Sequence, residues 1–363
     1  MSIFSSGASR TERYGVHVTT ASTTNGKGRK APTIFDVAER AGVSHQTVSR
    51  VINGDPTVRD HFRARVTTAV TELGYRPRAA ARALAGGRSK ALGLVTAGDA
   101  LYGPSSTAIG FERAARHAGY HVLLSTLPDD PRPADLSSAL TTLLAQDVAA
   151  VVLVAADNRV LDSLASLTVP VAVPVVVSNA VQRDARRAER LPTVAAVAID
   201  QAAGTRMAMQ HLFDRGHRRV VHIAGPTVSQ EAEVRRATYR STMESAGLEP
   251  VVLDGDWTPA SGFAAARTLD TTAVDAVFCG NDQMALGVLH AFADDGLRVP
   301  DDIAVLGFDD IPEAAHFTPP LTTVRQDFQA MGERVLATAR SLVEGEPLDE
   351  ILLQPELVVR RSA

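Results

Sequence analysis

The sequence predicts a small all-α helix-turn-helix head joined to an α/β core of two doubly wound lobes. Three observations carry that expectation. Two short capped helical patterns lie close together over Ile34–Asn53, and from Ala91 onward short apolar runs alternate with helical stretches. The third is charge. Between Lys27 and Lys90 stand 13 Lys/Arg against 5 Asp/Glu, a net of +8, whereas the residues beyond 90 carry −13. A basic head on an acidic body suits a nucleic-acid-binding module attached to a domain that phosphates repel.

In the head, Ile34, Val37, Ala38 and Ala41 repeat at helical spacing, with Thr33 as N-cap and Asp36 three residues on completing a capping box. Gly42 permits the tight turn, and Ser44 caps a second helix whose Val48, Val51 and Ile52 point inward. His45, Gln46, Ser49 and Arg50 then face outward with donors and acceptors suited to base edges and phosphates. The turn Asn53-Gly-Asp-Pro56 precedes a third helix, Arg59–Leu73, expected to bury Phe62, Val66, Ala69, Val70 and Leu73 and to stop at Gly74.

Bulk properties narrow the class. A chain of 363 residues, 45% hydrophobic and 21% charged, has the composition of a globular protein with more than one domain. The lone Cys279, in an apolar run, reads as a buried thiol in a reducing cytoplasm. No segment reaches the ~18 apolar residues of a membrane span, and the first residues lack a secretory h-region. The expected location is therefore the cytoplasm, on the nucleoid, with no membrane partner. Nothing in the sequence calls for a cofactor. There is no Gly-x-Ser-x-Gly elbow, phosphate loop or metal-ligand spacing, so the chain reads as a non-enzyme.

Residues 1–31 read as a disordered tail, 32–76 as the DNA-binding head, 77–90 as a hinge helix and linker, and 91–363 as the two-lobed effector-binding and dimerisation domain. The segment from Pro77 to Gly87 is alanine-rich and short enough that a helix there needs a partner to persist; the other reading is a flexible linker. In the core, strands are expected at Leu92–Thr96, His121–Ser125, Ala150–Val154, Val173–Val177, Val197–Ile199, Val220–Ala224, Val251–Leu253, Ala276–Cys279 and Ile303–Gly307, with helices between them. Such alternation means parallel sheets, and about 270 residues exceed one comfortable sheet. Ligands in open α/β sheets sit beyond the carboxyl ends of strands, which singles out Asp157 or Asn158, Asn281 and Asp309. For Asn281, helix capping is the competing role. Trp257, the only tryptophan, stands before the Pro259 helix start, either as core or as a stacking face for a sugar.

The run Thr33-Ile-Phe-Asp-Val-Ala-Glu-Arg-Ala-Gly-Val-Ser-His-Gln-Thr-Val-Ser-Arg-Val-Ile-Asn53 resembles the N-terminal signature of the LacI family of transcriptional regulators, and the likeness extends over about nine-tenths of the chain. The resemblance implies a periplasmic-binding-protein-like core of two lobes joined by three crossings, the N-lobe at about 91–190 plus 320–330. It places base readers at His45, Gln46 and Arg50, phosphate or groove-edge contacts at Thr33, Asn53 and Arg78, and the hinge helix at Ala81 and Leu84, with Leu84 as a minor-groove wedge. Its inducer contacts fall on Leu101, Asp157, Arg235, Trp257, Asn281, Asp309, Gln326 and Phe328. Ala97 stands where a serine is expected, Glu233 where a second arginine is, and His45 and Arg78 replace a tyrosine and an asparagine.

The implied protein is a homodimeric repressor that leaves a near-palindromic operator when a galactoside-like sugar fills the cleft. Dimerisation also follows because one reading module covers half a site. The rivals are a regulator of the same family answering a purine, pentose or other sugar, an activator, and a solute-binding protein. The last would need a signal peptide and no basic head.

Overall fold

The computed structural model describes residues 32–52, 54–75, 89–96, 101–128, 130–154, 158–165, 171–178, 194–346 and 351–363. Met1–Gly86 and Gly87–Ala363 form two compact units. In the first, α1 (Ile34–Ala41) begins with the expected capping box: Thr33 Oγ1 accepts from Asp36 N, and the Asp36 carboxylate accepts from Thr33 N at 2.6 Å. Gly42 ends it at φ 61, a left-handed turn that costs a side-chain-bearing residue more. Ser44 Oγ accepts from Thr47 N at 3.2 Å at the start of α2 (His45–Ile52). α3 spans Asp60–Leu73 and stops at Gly74, also left-handed.

Val37, Ala38, Ala41, Val48, Val66 and Ala69 make the core of the head, with Val51, Ile52, Val70 and Leu73 packed at its margin. Phe62 departs from expectation. It lies in the first turn of α3, only half-buried against the ring of His61, and Tyr75 beyond the helix closes the core instead.

The second unit contains two six-stranded sheets. The first joins β1 (Ala91–Thr96), β2 (His121–Thr126), β3 (Ala150–Val154), β4 (Val175–Ser178), β5 (Val194–Ile199) and β11 (Ile351–Leu353) in the order β11-β5-β4-β3-β1-β2, all parallel. On its faces pack α4 (Tyr102–His117), α5 (Pro133–Leu144), α6 (Asn158–Ala165) and α11 (Phe328–Glu344). The second sheet joins β6 (Val220–Ala224), β7 (Val251–Asp254), β8 (Ala276–Cys279), β9 (Ala304–Asp309), β10 (Thr322–Arg325) and β12 (Glu356–Val358) in the order β12-β10-β9-β8-β6-β7, with only β12 antiparallel. It carries α7 (Gln201–Asp214), α8 (Gln230–Ser245), α9 (Pro259–Ala266) and α10 (Asp282–Asp294). Helices on both faces account for central strands such as β3 and β8 being buried at every position.

The chain crosses between lobes three times, after β5, after β10 and after β11. The lobe boundaries differ from the expected ones. β5 belongs to the first lobe, β10 to the second, and α11 with β11 returns to the first. β10, β11 and β12 lie outside the expected strands and are placed by pairing with β9, β5 and β10 respectively. α11 packs its apolar face on α4 so closely that a methyl added at Gly332 would strike the backbone of Gly110 and Phe111.

Candidate functional site

In the head, α2 presents His45, Gln46 and Arg50 as exposed and Ser49 as half-buried, while Thr33 is exposed at its cap. The ring of His45 rests on the exposed Phe35 of α1, 5.2 Å between centroids. Arg50 is held from the following turn: its Nε donates to Asp55 Oδ2 at 2.8 Å and its Nη2 donates to Thr57 Oγ1. Hydrogen bonds from Thr57 and the neighbouring guanidinium hold the half-buried Asp55 carboxyl below the usual carboxylate range. Asn53, Arg78, Ala81 and Leu84 lie outside the described residues, as do Ala97 and Asp157. The Asn158 backbone starts α6.

In the core, a cavity of about 240 Å³ opens between the lobes beyond the carboxyl ends of β1, β8 and β9. Seven expected residues line it together: Leu101 and Phe328 from the first lobe, Arg235, Trp257, Asn281 and Asp309 from the second, and Gln326 at a crossing. Asn281 and Asp309 follow from strand ends and Trp257 from its place before a helix start, whereas Leu101, Arg235, Gln326 and Phe328 are implied by the family resemblance alone. The structure adds Tyr102, Glu231 and Gln283. Tyr102 meets Phe328 edge to face at 5.6 Å, so an aromatic pair stands beside Leu101 on the first-lobe wall.

The second-lobe wall is a chain of buried polar groups. Arg235 Nε donates to Gln201 Oε1 at 2.9 Å, and its Nη1 donates to the Gly280 carbonyl. Gln201 Nε2 donates to Gln326 Oε1 at 2.8 Å, and Gln326 Nε2 donates to Asp309 Oδ1 at 2.6 Å. The guanidinium also lies over two rings, 3.9 Å from the Phe308 centroid and 5.5 Å from that of Trp257. Burial pushes the Asp309 carboxyl up to about 6, opposed by the charge of Arg235. Burial likewise lifts Glu231 to about 7, with Arg235 and the Ser229 hydroxyl pulling the other way. A buried polar relay of this kind holds its members in fixed orientations, as recognition of directional hydroxyls requires.

Backbone strain concentrates here. Trp257, Asp309 and Asp310 have φ of 74, 116 and 55 without being glycine. Asp310 is pinned by Arg360 and Arg325 at 2.6 and 2.7 Å, and Asp282 accepts from Ile311 N at 2.9 Å. Such conformations persist only where surroundings over-determine them. The half-buried indole of Trp257 lies over Gly225, where a methyl would collide with the ring, and it packs on the second-lobe core at the cavity edge. Core packing and cavity lining thus coincide. Asn281 is similarly double: its Oδ1 caps α10 by accepting from Met284 N at 2.9 Å, while its amide donates to the Trp257 carbonyl at 3.0 Å.

Glu231 lies in the first turn of α8, away from any strand end, so the strand-end rule does not reach it. Tyr102 directly follows Leu101, which the family resemblance supplied.

Among known proteins, the model for bacterial regulatory proteins of the lacI family matches residues 33–78, and that for a periplasmic binding protein-like domain matches 209–363. The lactose operon repressor of Escherichia coli strain K12 is 32% identical over 339 residues, 92% of this chain and 91% of that protein. The crystal structure of the lac repressor dimer bound to operator and the anti-inducer ONPF superposes with a TM-score of 0.80 at 32% identity, covering 92% of this chain and 99% of the other. A complex of the transcriptional regulator CelR with cellobiose gives a TM-score of 0.66 at 32% identity, covering 92% and 100%. The relatives are named as transcriptional regulators or repressors. With a reading head, a two-lobed core and identity of this level along nine-tenths of its length, the chain belongs to the LacI family, whose members regulate transcription by binding DNA.

Proposed function

We propose that this regulator is a homodimeric repressor that leaves its operator when an uncharged carbohydrate, a β-glycoside, occupies the cavity between the lobes. The observation that carries the ligand class is the wall itself: the indole of Trp257 beside the buried Arg235–Gln201–Gln326–Asp309 relay and the amide of Asn281. An aromatic face takes the apolar side of a sugar ring while directional donors and acceptors take its hydroxyls. Lac repressor and CelR structures with an anti-inducer and with cellobiose support the same class.

On this reading α2 enters the major groove, His45, Gln46 and Arg50 face base edges, Ser49, Thr33, Asn53 and Arg78 face the backbone, and Ala81 and Leu84 belong to a hinge within 77–90. Leu101, Asp157 and Phe328 complete the sugar contacts. The protein binds and performs no chemical step. Titration of the purified full chain with methyl β-galactoside, cellobiose, D-ribose and hypoxanthine, followed by Trp257 emission, tests the ligand class. A saturable change with a β-glycoside is expected, and a response to hypoxanthine or ribose alone would replace the carbohydrate reading by the rival effector.

A further inference from the structure

We infer that Asp55 and Thr57, outside the recognition helix, are positioning residues that aim Arg50 at a guanine. This deepens the DNA-reading role proposed above and rests on it. A guanidinium has two forks for bidentate hydrogen bonding, a side fork of Nε and Nη2 and an end fork of Nη1 and Nη2. The side fork of Arg50 is taken: Nε donates to Asp55 Oδ2 at 2.8 Å and Nη2 donates to Thr57 Oγ1. The end fork keeps both Nη1 protons and one from Nη2, and Nη1 makes no hydrogen bond among the described residues. An end fork is the geometry that meets guanine O6 and N7 together.

The anchor itself is fixed. Asp55 Oδ1 accepts from Thr57 N at 2.9 Å and from its hydroxyl at 2.5 Å. Asp55 N donates to the Arg50 carbonyl at 2.9 Å, closing the turn behind α2, and Arg63 Nη2 of α3 donates to the Asp55 carbonyl at 2.7 Å. Arg50 is 56% exposed and would otherwise sample many rotamers. Ordering that side chain before DNA arrives removes an entropic cost from binding and directs it to one base pair.

The sign of the effect separates this from the plain alternative. A carboxylate near the duplex repels phosphates, so removing one that only repels strengthens binding to every sequence. Full-length wild type, Asp55→Ala, Thr57→Val, Arg50→Ala and the Asp55→Ala/Arg50→Ala double variant would each be used to select sites from a randomised duplex pool. Dissociation constants on the wild-type site and on random duplex would follow. Asp55→Ala is expected to bind the wild-type site about 10-fold more weakly, to lose preference at the same base pair as Arg50→Ala, and to bind random duplex as well as before or better. The double variant should lose no more than Arg50→Ala alone. Thr57→Val, which removes the hydroxyl's bonds to Arg50 and Asp55 but keeps the Asp55 carboxylate, its bond from Thr57 N and its bond to Arg50 Nε, should lose about 3-fold at that base pair. It carries the test if Asp55→Ala does not fold. Unchanged or tighter site binding with the base preference intact in the folded variants would overturn the inference. A wild type that selects no sequence overturns the reading beneath it as well.

Discussion

At the scale of single residues, the cavity depends on a few side chains that each meet two demands. Asn281 ends a strand and starts a helix, so its Oδ1 is committed to Met284 N while its amide faces the Trp257 carbonyl. Trp257 holds a positive φ over Gly225 and also offers an aromatic edge to the cavity. Replacing Trp257 by alanine should weaken β-glycoside binding about 30-fold, roughly the 2 kcal/mol of a central aromatic anchor, with operator affinity unchanged. Calorimetry on the variant measures this, and Trp257→Phe should restore most of the loss. A full-strength titration by Trp257→Ala would remove the indole from the site. Residues at strand ends were legible in sequence because topology dictates where ligands sit in such sheets. Glu231 was not, since a carboxylate in the first turn of a helix is usually read as dipole complement, and only its burial beside Arg235 reveals that it faces the cavity.

Elements repeat the contrast. The capping box at Thr33, the turn at Gly42 and the cap at Ser44 are local signals that fix α1 and α2 with no help from the rest of the chain. β10, β12 and α11 instead gain their identity from partners remote in sequence, and so the lobe assignment slipped there. β6 holds a further device. His222 is fully buried, with Nδ1 2.9 Å from the Phe278 carbonyl and its ring stacked 4.7 Å from that of Phe278. Burial depresses it to about 3 from 6.5, so the folded state keeps it neutral while the unfolded chain takes up a proton below pH 6.5. Its neutral form contributes fully above that value, and stability is lost as pH falls from 6.5 toward 3. Asp309 and Glu231, both raised, act with the opposite sign, so the difference between variants is the clean measure. Urea unfolding of the second lobe, followed by Trp257 emission at pH 7.5 and 5.5, should cost wild type between about 1 and 2 kcal/mol more than His222→Phe over that interval. Parallel pH profiles for the two proteins would contradict the assignment.

Across the whole molecule, the division of charge anticipates the division of labour. The head carries the excess of arginine and lysine, and the core carries the acid. A ligand between lobes influences DNA only through its different affinity for two arrangements of the core, an effect typically of about 1–3 kcal/mol. The lobes are suited to such a change because the chain passes between them at only three places and the cavity draws residues from both. Fold class and family were legible because the helix-turn-helix and the α/β alternation are long, redundant patterns. Effector identity was not, because it depends on a handful of side chains such as Glu231 whose place in the cavity emerges only in three dimensions. The account is tested most directly by the dissociation constant of the full-length protein for its selected operator, measured with and without a saturating β-glycoside at fixed salt. The expected result is binding about 5- to 150-fold weaker in its presence, with random duplex little affected; equal constants in both conditions, for a glycoside that demonstrably fills the cavity, would contradict it.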